Sequence, residues 1–445
     1  MPALFKDNEE FKRRRKDLCA RIGSTHALII GGPAPNDHSA FRQYNDFFYL
    51  CGVETPQAYL LIDGSTGFSK LYLPSSNQQS RERNDQVISA NDTSEVAKAY
   101  GLDAVGVRED LTADLQNVTT LYMHPRDGEG WKTDYRSTID AQRQIELDIW
   151  DNRLNRGAHL ASKVKEVNSK IEVKDIWPII LDMRMTKSPH EIDILRKAGY
   201  QAAKAVVEAM KSTKPGVIEY EVAAAMQYQY LVNGSWDTGY APIVAGGKNA
   251  FWPHYGDNNC PLKDGELLLV DCAPDYNYYT SDICRVWPIN GKYTDAQRAL
   301  YGFLTEYHLT LLSSIRAGRT CDEIEAEVVE IMRGKVKDYD FASEEHLAGT
   351  EWMFKFNNHL AHSVGLSVHD GVEHKTGPLE PGLVFAVDPQ IRIDSEMIYM
   401  RVEDTVVVTE TGIENLTEYA PHDLDEIEKL VTGKGMVQDY PGTLE

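Results

Sequence analysis

The chain has 445 residues, which is enough for two or three domains that each bury a full hydrophobic core. Its 46 basic and 68 acidic side chains give a formal net charge of −22, which argues against nucleic acid or an anionic membrane as a partner. Six cysteines without CxxC spacing, a polar amino-terminal stretch and the lack of an 18-residue apolar run predict a cytoplasmic protein with reduced thiols.

The first part of the chain predicts an amino-terminal α/β domain over residues 1–180. Short apolar runs that end at Gly, Pro or polar residues are typical of strands, whereas longer periodic stretches are typical of helices. The predicted strands are residues 26–30, 47–50, 59–62 and 71–73, and the predicted helices are residues 96–100 and 139–161. This domain carries no catalytic motif of its own.

The second part, residues 181–445, begins its helices with capping boxes, in which a hydroxyl precedes a Glu or Gln by three residues. The boxes are Ser188 with Glu191, Thr294 with Gln297, and Thr320 with Glu323. The segments PGVIEYEVAAAM and AGRTCDEIEAEVV share one order of helix, stop and capped helix. This order indicates either a weak internal duplication of a helix–helix–strand unit or a chance similarity of amphipathic helices.

Acidic residues interrupt several apolar strand patterns in this second domain. The stretch LLLVDCAPDYNYYTSDICRVWPI predicts a β-hairpin whose first strand ends on Asp271 and whose second strand contains Asp282. The run LVFAV ends on Asp388. The predicted strand IYMRVEDTVVV carries Arg401 and Glu403 on one face, because side chains alternate along a strand.

Buried ionised carboxylates need compensating charge, and here there are four of them, Asp271, Asp282, Asp388 and Glu403. His362, in the histidine-rich stretch NNHLAHSVGLSVHDG, adds one imidazole. Two divalent cations about 3.5–4 Å apart would supply the missing positive charge. Oxygen-rich ligation with one imidazole suits Mn²⁺ best, with Co²⁺, Zn²⁺ or Fe²⁺ as alternatives.

Two cysteines adjoin the aspartates of the hairpin. Cys272 follows Asp271, and Cys284 lies two residues after Asp282. We expect both thiols to point away from the carboxylates by strand alternation and to serve as small core residues.

These residues lie in motifs that resemble the pita-bread metallopeptidases, which include aminopeptidase P, prolidase, methionine aminopeptidase and creatinase. The motifs are KSPHEIDILRKA, SDICRVWPINGKYTDAQRALY, HSVGLSVHD, LEPGLVFAVDP and RVEDTVVVTETGIENLT. In the first domain, FKRRRKDL and FRQYNDFFYLCGVETPQAYLLI closely resemble aminopeptidase P. The resemblance covers nearly the whole chain. It implies an α/β (α+β) protein in which an amino-terminal α/β domain precedes a pseudo-two-fold pita-bread catalytic domain.

The resemblance also implies roles for the five candidate ligands of a dinuclear centre. Asp271 matches the terminal ligand of one metal ion, and Asp282 and Glu403 match the two carboxylates that bridge both ions. His362 and Asp388 would complete the coordination of the second ion.

Further residues match positions that contact the substrate in this family. His254, in FWPHY, resembles the histidine near the scissile bond, and His369 resembles the one that stabilises the tetrahedral intermediate. Tyr240 and Arg401 match positions that either support the ligands or face the substrate. Asp37 lies near an acid that aminopeptidase P supplies from a neighbouring subunit, although the local spacing differs by one residue.

One departure from the family pattern falls within the ligand set. The family has Glu where this chain has Asp388, in the motif Asp388-Pro389-Gln390, and that Glu binds metal and accepts the proton of the attacking water. Asp is one methylene shorter, and the segment from Asp388 to Glu403 is shorter than in aminopeptidase P. Both differences imply changed metal contacts and a changed rim of the substrate pocket.

The resulting hypothesis is a metal-dependent exopeptidase that cleaves the Xaa-Pro bond of peptides with proline in the second position. Phe251, Trp252 and Tyr240 are candidates for an apolar pocket around the prolyl ring. The alternatives are an Xaa-Pro dipeptidase (prolidase), a creatinase-like C–N hydrolase with altered metal dependence, and a binding protein that has lost activity. The resemblance implies a homodimer or homotetramer, with the amino-terminal domain forming subunit contacts and part of the pocket rim.

Overall fold

The computed structural model describes residues 8–35, 40–75, 88–91, 93–356, 358–371 and 377–442. The chain divides into two compact units, Met1–Arg184 and Met185–Glu445.

The first unit is built on a six-stranded mixed sheet in the order β4-β3-β2-β1-β5-β6. Its strands are β1 (His26–Ile30), β2 (Tyr59–Asp63), β3 (Ser69–Leu73), β4 (Ala104–Val107), β5 (Thr120–Met123) and β6 (Glu172–Asp175). Its helices are α1 (Glu9–Ile22), α2 (Asn45–Cys51), α3 (Thr93–Tyr100), α4 (Leu111–Asp114), α5 (Tyr135–Leu147), α6 (Arg156–Val167) and α7 (Trp177–Met185). The strands run in mixed directions and helices lie between them along the chain, which is the arrangement of an α/β domain, as predicted.

Two predicted elements of this unit differ from the structure. The run Phe47–Leu50, expected to be a strand, lies in α2, where all seven residues are buried. A short, fully buried apolar run has no periodicity that separates a strand from a helix, which explains the error. The helix predicted over residues 139–161 is two helices, α5 and α6, separated by residues 148–155.

The second unit contains a seven-stranded antiparallel sheet in the order β12-β13-β16-β11-β9-β8, with β17 also paired to β16. These strands are β8 (Ile243–Gly246), β9 (Leu267–Asp271), β11 (Ile283–Pro288), β12 (Leu360–Ser363), β13 (Val384–Val387), β16 (Glu403–Val408) and β17 (Ile413–Asn415). Two further ribbons pair β7 (Asp237–Thr238) with β10 (Pro274–Asp275), and β14 (Gln390–Ile393) with β15 (Ile398–Arg401).

Helices of the second unit pack on this sheet around a hydrophobic core. They are α8 (Pro189–Ser212), α9 (Glu219–Val232), α10 (Asp295–Ser314), α11 (Cys321–Lys335), α12 (Glu344–Lys355), α13 (Leu424–Thr432) and α14 (Met436–Asp439). The three predicted capping boxes are confirmed, because α8, α10 and α11 each begin with reciprocal hydrogen bonds between the cap and the third residue. The mixed α/β fold class is thus as predicted.

The strands that position the acidic residues follow the prediction with two differences. β9 and β11 pair antiparallel, with Val270 opposite Arg285, but 11 residues including β10 connect them instead of a tight turn. The strand predicted over residues 398–408 breaks at Val402, so that β15 joins a ribbon while β16 enters the main sheet. No stretch of helix in the described ranges combines the length and apolarity that a bilayer-spanning segment needs.

Candidate metal centre

Five neighbouring strands of the main sheet each supply one of the predicted ligands. In the order in which the strands lie in the sheet, these are His362 in β12, Asp388 after β13, Glu403 at the start of β16, Asp282 before β11 and Asp271 at the end of β9. The strand ends therefore bring together residues that are up to 132 positions apart, from Asp271 to Glu403.

The side chains of these residues form one buried acidic cluster. Asp271, Asp282, Asp388 and Glu403 are each at most 4% exposed. His362 Nε2 lies 3.4 Å from Asp282 Oδ2 and 3.9 Å from Glu403 Oε1. One potential ligand atom from each of Asp282, His362 and Glu403 lies within 4.8 Å of the others, which is close enough for all three to bind a common ion.

Arg401 and Tyr240 connect the remaining carboxylates to the cluster. Arg401 forms an ion pair with Asp271, and its other guanidinium contacts are 3.5 Å to Asp388 Oδ2 and 3.6 Å to Glu403 Oε2. The Tyr240 hydroxyl lies 2.5 Å from Asp271 Oδ1 and 2.7 Å from Asp282 Oδ1. Although the strand breaks at Val402, both Arg401 and Glu403 still face the cluster.

The cluster carries more negative charge than these side chains compensate. Burial, followed by the charge of Glu403, raises the pKa values of Asp282 and Asp388 well above the usual carboxyl range. Burial also raises the pKa of Glu403, although Arg401 lowers it. Within the described part of the chain, Asp388 Oδ1 and both carboxylate oxygens of Glu403 are buried without a hydrogen-bond partner. Buried acceptors of this kind, next to an imidazole, fit hard or borderline divalent cations.

The predicted catalytic histidines occupy different environments. The rings of His369 and His362 are perpendicular, with centroids 4.3 Å apart, so His369 borders the cluster. His254 is exposed in the turn after a 3₁₀ helix, Gly247–Phe251. Asp37 lies outside the described residues. His359 is fully buried, with Nε2 3.1 Å from the Met353 carbonyl oxygen, and belongs to the core beside β12.

The position of Cys284 differs from the prediction. It lies directly opposite both Asp271 and Glu403 in the sheet, and directly opposed residues of antiparallel strands share a face. Burial and then the charges of Glu403, Asp388 and Asp282 raise the pKa of its thiol well above the usual value. The expectation that Cys284 points away was wrong, because its spacing of two from Asp282 places both on one face. Cys272 does point away, with its thiol 3.2 Å from Met226 Sδ.

Two supporting contacts were also missed at the sequence level. Gln390 Nε2 donates to Asp388 Oδ2 at 2.8 Å, which its spacing of two from Asp388 could have indicated. The buried Lys187 ammonium lies 3.1 Å from Asp370 Oδ2 and 3.0 Å from Ser363 Oγ. These contacts fix the segment between His362 and His369, but no local pattern links Lys187 to residues more than 170 positions away.

A second group of potential ligands, His308, Asp404 and His422, lies next to the cluster. Both imidazole Nε2 atoms are 2.7 Å from Asp404 Oδ2. The fully buried Arg285 guanidinium lies 2.8 Å from Asp404 Oδ1 and 3.0 Å from His422 Nε2. Since Arg285 already supplies the positive charge, this group is a structural ion network and does not resemble the uncompensated cluster around Glu403.

Both units match families of known proteins. The model of Metallopeptidase family M24 matches residues 193–410, and that of Aminopeptidase P, N-terminal domain matches residues 11–124. The Xaa-Pro aminopeptidase of Escherichia coli is 31% identical over 453 residues, covering 95% of this chain and 97% of that protein. The Xaa-Pro dipeptidase of Rattus norvegicus is 28% identical over 495 residues, covering 97% and 94%.

Solved structures agree with these matches. Aminopeptidase P from E. coli with the inhibitor Pro-Leu has a TM-score of 0.75 and 27% identity, and the match covers 96% of this chain and 98% of that one. Proline aminopeptidase P II from Yersinia pestis has a TM-score of 0.75 and 28% identity, with 96% and 99% coverage. The predicted resemblance and the predicted enzyme class, a metallo-aminopeptidase, are confirmed by these matches. The chain belongs to metallopeptidase family M24 and, within it, to the aminopeptidase P group.

Proposed function

We propose that this enzyme hydrolyses the Xaa-Pro bond of peptides with proline in the second position, with two divalent metal ions, most favourably Mn²⁺, held by the acidic cluster. The observation that carries the proposal is the cluster itself, four carboxylates and one imidazole on five adjacent strands with too little positive charge between them. The names of the relatives, Xaa-Pro aminopeptidase and aminopeptidase P, support the choice of bond.

The ligands we propose are Asp271, Asp282, His362, Asp388 and Glu403. The buried oxygens of Asp388 and Glu403 that lack hydrogen-bond partners explain why ions would bind there in preference to water-exposed acids. When bound, divalent cations supply Lewis acidity and make water nucleophilic near neutral pH.

Asp388 is proposed to accept the proton of the attacking water. Gln390 holds Oδ2 by a hydrogen bond, so Oδ1 is the oxygen that remains for the proton. His369, beside His362, would donate to the developing oxyanion, and His254 would contact the substrate near the scissile bond. Arg401 and Tyr240 would hold Asp271 in place through the contacts described above.

A prolyl nitrogen in a peptide has no N–H, so its side of the pocket should be apolar. Phe251 is buried at the start of the turn that carries His254, and Trp252 is 60% exposed beside it, with ring centroids 5.6 Å apart. Both support a hydrophobic wall there. Tyr240 fits this role less well, because its hydroxyl is directed at the carboxylates of Asp271 and Asp282.

The test compares hydrolysis of Ala-Pro-Ala and Ala-Ala-Ala after dialysis against EDTA and again after addition of Mn²⁺. We expect Mn²⁺-dependent release of alanine from Ala-Pro-Ala only. Asp271→Ala and His362→Ala should abolish this activity, whereas Asp193→Ala, which removes an exposed carboxylate of α8, should leave it intact. Undiminished turnover in either cluster variant would contradict the assignment.

Asp388 replaces the Glu of the family, and this replacement supports a second candidate function. That function is a C–N hydrolase of the creatinase type with altered metal dependence. Metal analysis after reconstitution separates the two, because roughly two Mn²⁺ per chain support the exopeptidase and roughly none supports the alternative. A dipeptidase of the prolidase type would cleave Ala-Pro but not Ala-Pro-Ala.

We also propose that the enzyme works in the cytoplasm as a homodimer or homotetramer, with the first unit providing subunit contacts and part of the pocket rim. Free thiols at Cys19, Cys51, Cys260, Cys272 and Cys284 support a reducing compartment. Light scattering of the purified enzyme tests the oligomeric state. Asp37→Ala, assayed with Ala-Pro-Ala, tests the predicted contribution of that residue to substrate binding.

A further inference from the structure

The ribbon of β14 and β15 has two different faces. Ile391 and Ile393 are buried against Gly349 of α12, where a Cβ built on the glycine would lie 2.8 Å from Ile393 Cγ1. Because side chains alternate along a strand, Gln390 and Arg392 occupy the opposite face. One face of β14 is thus part of the core, and the side chains of the other face are available to contact a ligand.

This second face continues directly from the acidic cluster. Gln390 lies opposite Arg401 in the ribbon, and both contact Asp388 Oδ2, at 2.8 and 3.5 Å. Arg392 lies opposite Tyr399, one pleat farther along, which is about 6.5–7 Å on the same face. A cation therefore lies one pleat from Gln390, whose side chain contacts the residue that we propose accepts the proton.

The Arg392 side chain is held in position by an aromatic ring. Its guanidinium carbon lies 4.0 Å from the centroid of Phe251, three residues before His254. A cation stacked in this way keeps its in-plane N–H groups available for a planar anion. The half-buried guanidinium is thus oriented before any substrate binds.

The ion-pair partner of Arg392 in the structure is a carboxylate that can readily be exchanged. Arg392 Nε lies 2.7 Å from Asp394 Oδ1, but the Asp394 side chain is 79% exposed. Ion pairs this exposed contribute little to stability, so a carboxylate presented by a bound peptide can replace Asp394 at small cost.

Tyr399, which is buried opposite Arg392 in the ribbon, is influenced by both the cation and the cluster. Burial and then the negative charge of Asp388 raise the pKa of the Tyr399 hydroxyl well above its usual value, whereas Arg392 lowers it. The hydroxyl is therefore within electrostatic reach of both the acidic cluster and the cation.

We propose that Arg392 is a specificity-determining residue that binds a carboxylate of the peptide substrate. The inference rests on the proposed function, which places the scissile bond at the acidic cluster. In a dipeptide, the free carboxylate lies one residue, about 3.5 Å, beyond the scissile carbonyl. Adding about 2.8 Å for a charge-assisted hydrogen bond gives a span close to the one pleat that separates Arg392 from Gln390, the residue in contact with Asp388. An acidic side chain of the residue before proline is the other source of the same carboxylate chemistry.

The experiment measures KM and kcat with Mn²⁺ for three substrates, Ala-Pro, Ala-Pro-amide and Asp-Pro-amide, in the full-length wild-type enzyme and Arg392→Met. We expect the variant to raise KM about 10- to 100-fold for a substrate that carries the recognised carboxylate, with little change for Ala-Pro-amide. A selective effect on Ala-Pro identifies the terminal carboxylate, and a selective effect on Asp-Pro-amide identifies the side chain. Equal effects on all three substrates, or no effect on any, overturn the proposal.

Two further variants separate recognition from a structural role of the stacked arginine. Asp394→Asn removes the competing carboxylate, so it should lower KM several-fold for the carboxylate substrate alone, and an unchanged KM in this variant contradicts the proposal. Arg392→Lys keeps the charge but loses the planar fork, and it should fall between wild type and Arg392→Met. Hydrolysis of Ala-Pro-amide tests the proposed function itself, since that substrate has no carboxylate for Arg392 to bind.

Discussion

The Arg285 guanidinium donates a hydrogen bond of 2.7 Å from Nη1 to the backbone carbonyl of Glu403. Arg285 lies on β11, which follows Asp282, and Glu403 begins β16, so one fully buried side chain joins the strands next to two of the proposed ligands. The same guanidinium pairs with Asp404 at 2.8 Å. The neighbouring ion network therefore helps to position the acidic cluster. Unlike the cluster, this network contains a buried cation, Arg285, that compensates its carboxylate.

We expect Arg285→Met to lower the free energy of unfolding by about 3–5 kcal/mol, because it leaves the Asp404 carboxylate buried with less compensating charge. Urea unfolding of the metal-free protein measures this change. Arg196→Met is the matched control, since Arg196 pairs with Glu414 at the surface and should cost less than about 1 kcal/mol. Equal losses in the two variants would show that the Arg285 charge is not required.

Replacing Asp282 or Asp404 by the neutral Asn should change the free energy of unfolding in opposite directions, although both aspartates are buried and close to each other in the sheet. The pKa of Asp282 is raised well above its usual value by burial and Glu403, whereas Arg285 and His422 hold that of Asp404 well below it despite burial. In the metal-free protein, we expect Asp282→Asn to raise the free energy of unfolding by about 1–2 kcal/mol and Asp404→Asn to lower it by about 3 kcal/mol.

The same pair of variants distinguishes metal binding from stability. Thermal unfolding with and without Mn²⁺ should show a metal-dependent rise in Tm for wild type that is lost in Asp282→Asn. A metal-free Asp282→Asn protein that is less stable than wild type would mean that the carboxylate is adequately compensated without a cation.

The contrast between these two aspartates also shows what the sequence could and could not predict. Asp271, Asp282, Asp388 and Glu403 were found because a carboxylate within an apolar strand run is costly to bury without a cation. Cys284 could have been placed in the cluster by the same alternation rule. The role of Arg285 could not, because its partner Asp404 lies 119 residues away and no local pattern joins them. Likewise, the break in the strand at Val402 could not be predicted. It arises because residues 398–401 pair with β14 in the ribbon, whereas residues 403–408 pair within the main sheet.

The buried imidazole of His308 predicts a loss of stability in mild acid. Burial lowers its pKa to about 4, although Asp404 opposes the shift, whereas an unfolded histidine has a pKa of about 6.5. Between these values the unfolded chain binds a proton that the folded chain does not. Stability is therefore intact above pH 6.5 and falls as the pH decreases towards 4, by on the order of 3 kcal/mol from this residue.

Urea unfolding at pH 7 and pH 4.5 measures this effect in wild type and His308→Gln. We expect the variant to be less stable at pH 7 but to lose less stability between the two pH values. His159→Gln, which changes an exposed histidine of α6, should keep the wild-type slope. Parallel pH profiles for wild type and His308→Gln would contradict the assignment.

Glu219 anchors the turn that carries His254. This fully buried carboxylate, at the first position of α9, accepts hydrogen bonds at Oε1 from Gly246 N at 2.8 Å and Asn249 Nδ2 at 2.9 Å. At Oε2 it accepts from the Tyr255 hydroxyl at 2.8 Å and from Cys260 N at 3.0 Å. The four donors lie on both sides of His254 along the chain, so one side chain ties down the whole turn.

Glu219→Gln should lower kcat/KM for Ala-Pro-Ala by about 10- to 100-fold while Mn²⁺ binding stays unchanged. The amide offers only one acceptor oxygen. Its NH₂ group can donate to the Tyr255 hydroxyl but cannot accept from Cys260 N, so the turn loses at least one buried hydrogen bond and the position of His254 relaxes. Glu221→Gln is the matched control, because Glu221 caps the same helix through Ile218 N and a glutamine can keep that bond. Glu219 contacts none of the five proposed ligands, so its replacement should affect only the position of His254. A parallel loss of Mn²⁺ affinity in Glu219→Gln would therefore indicate general unfolding and contradict this role.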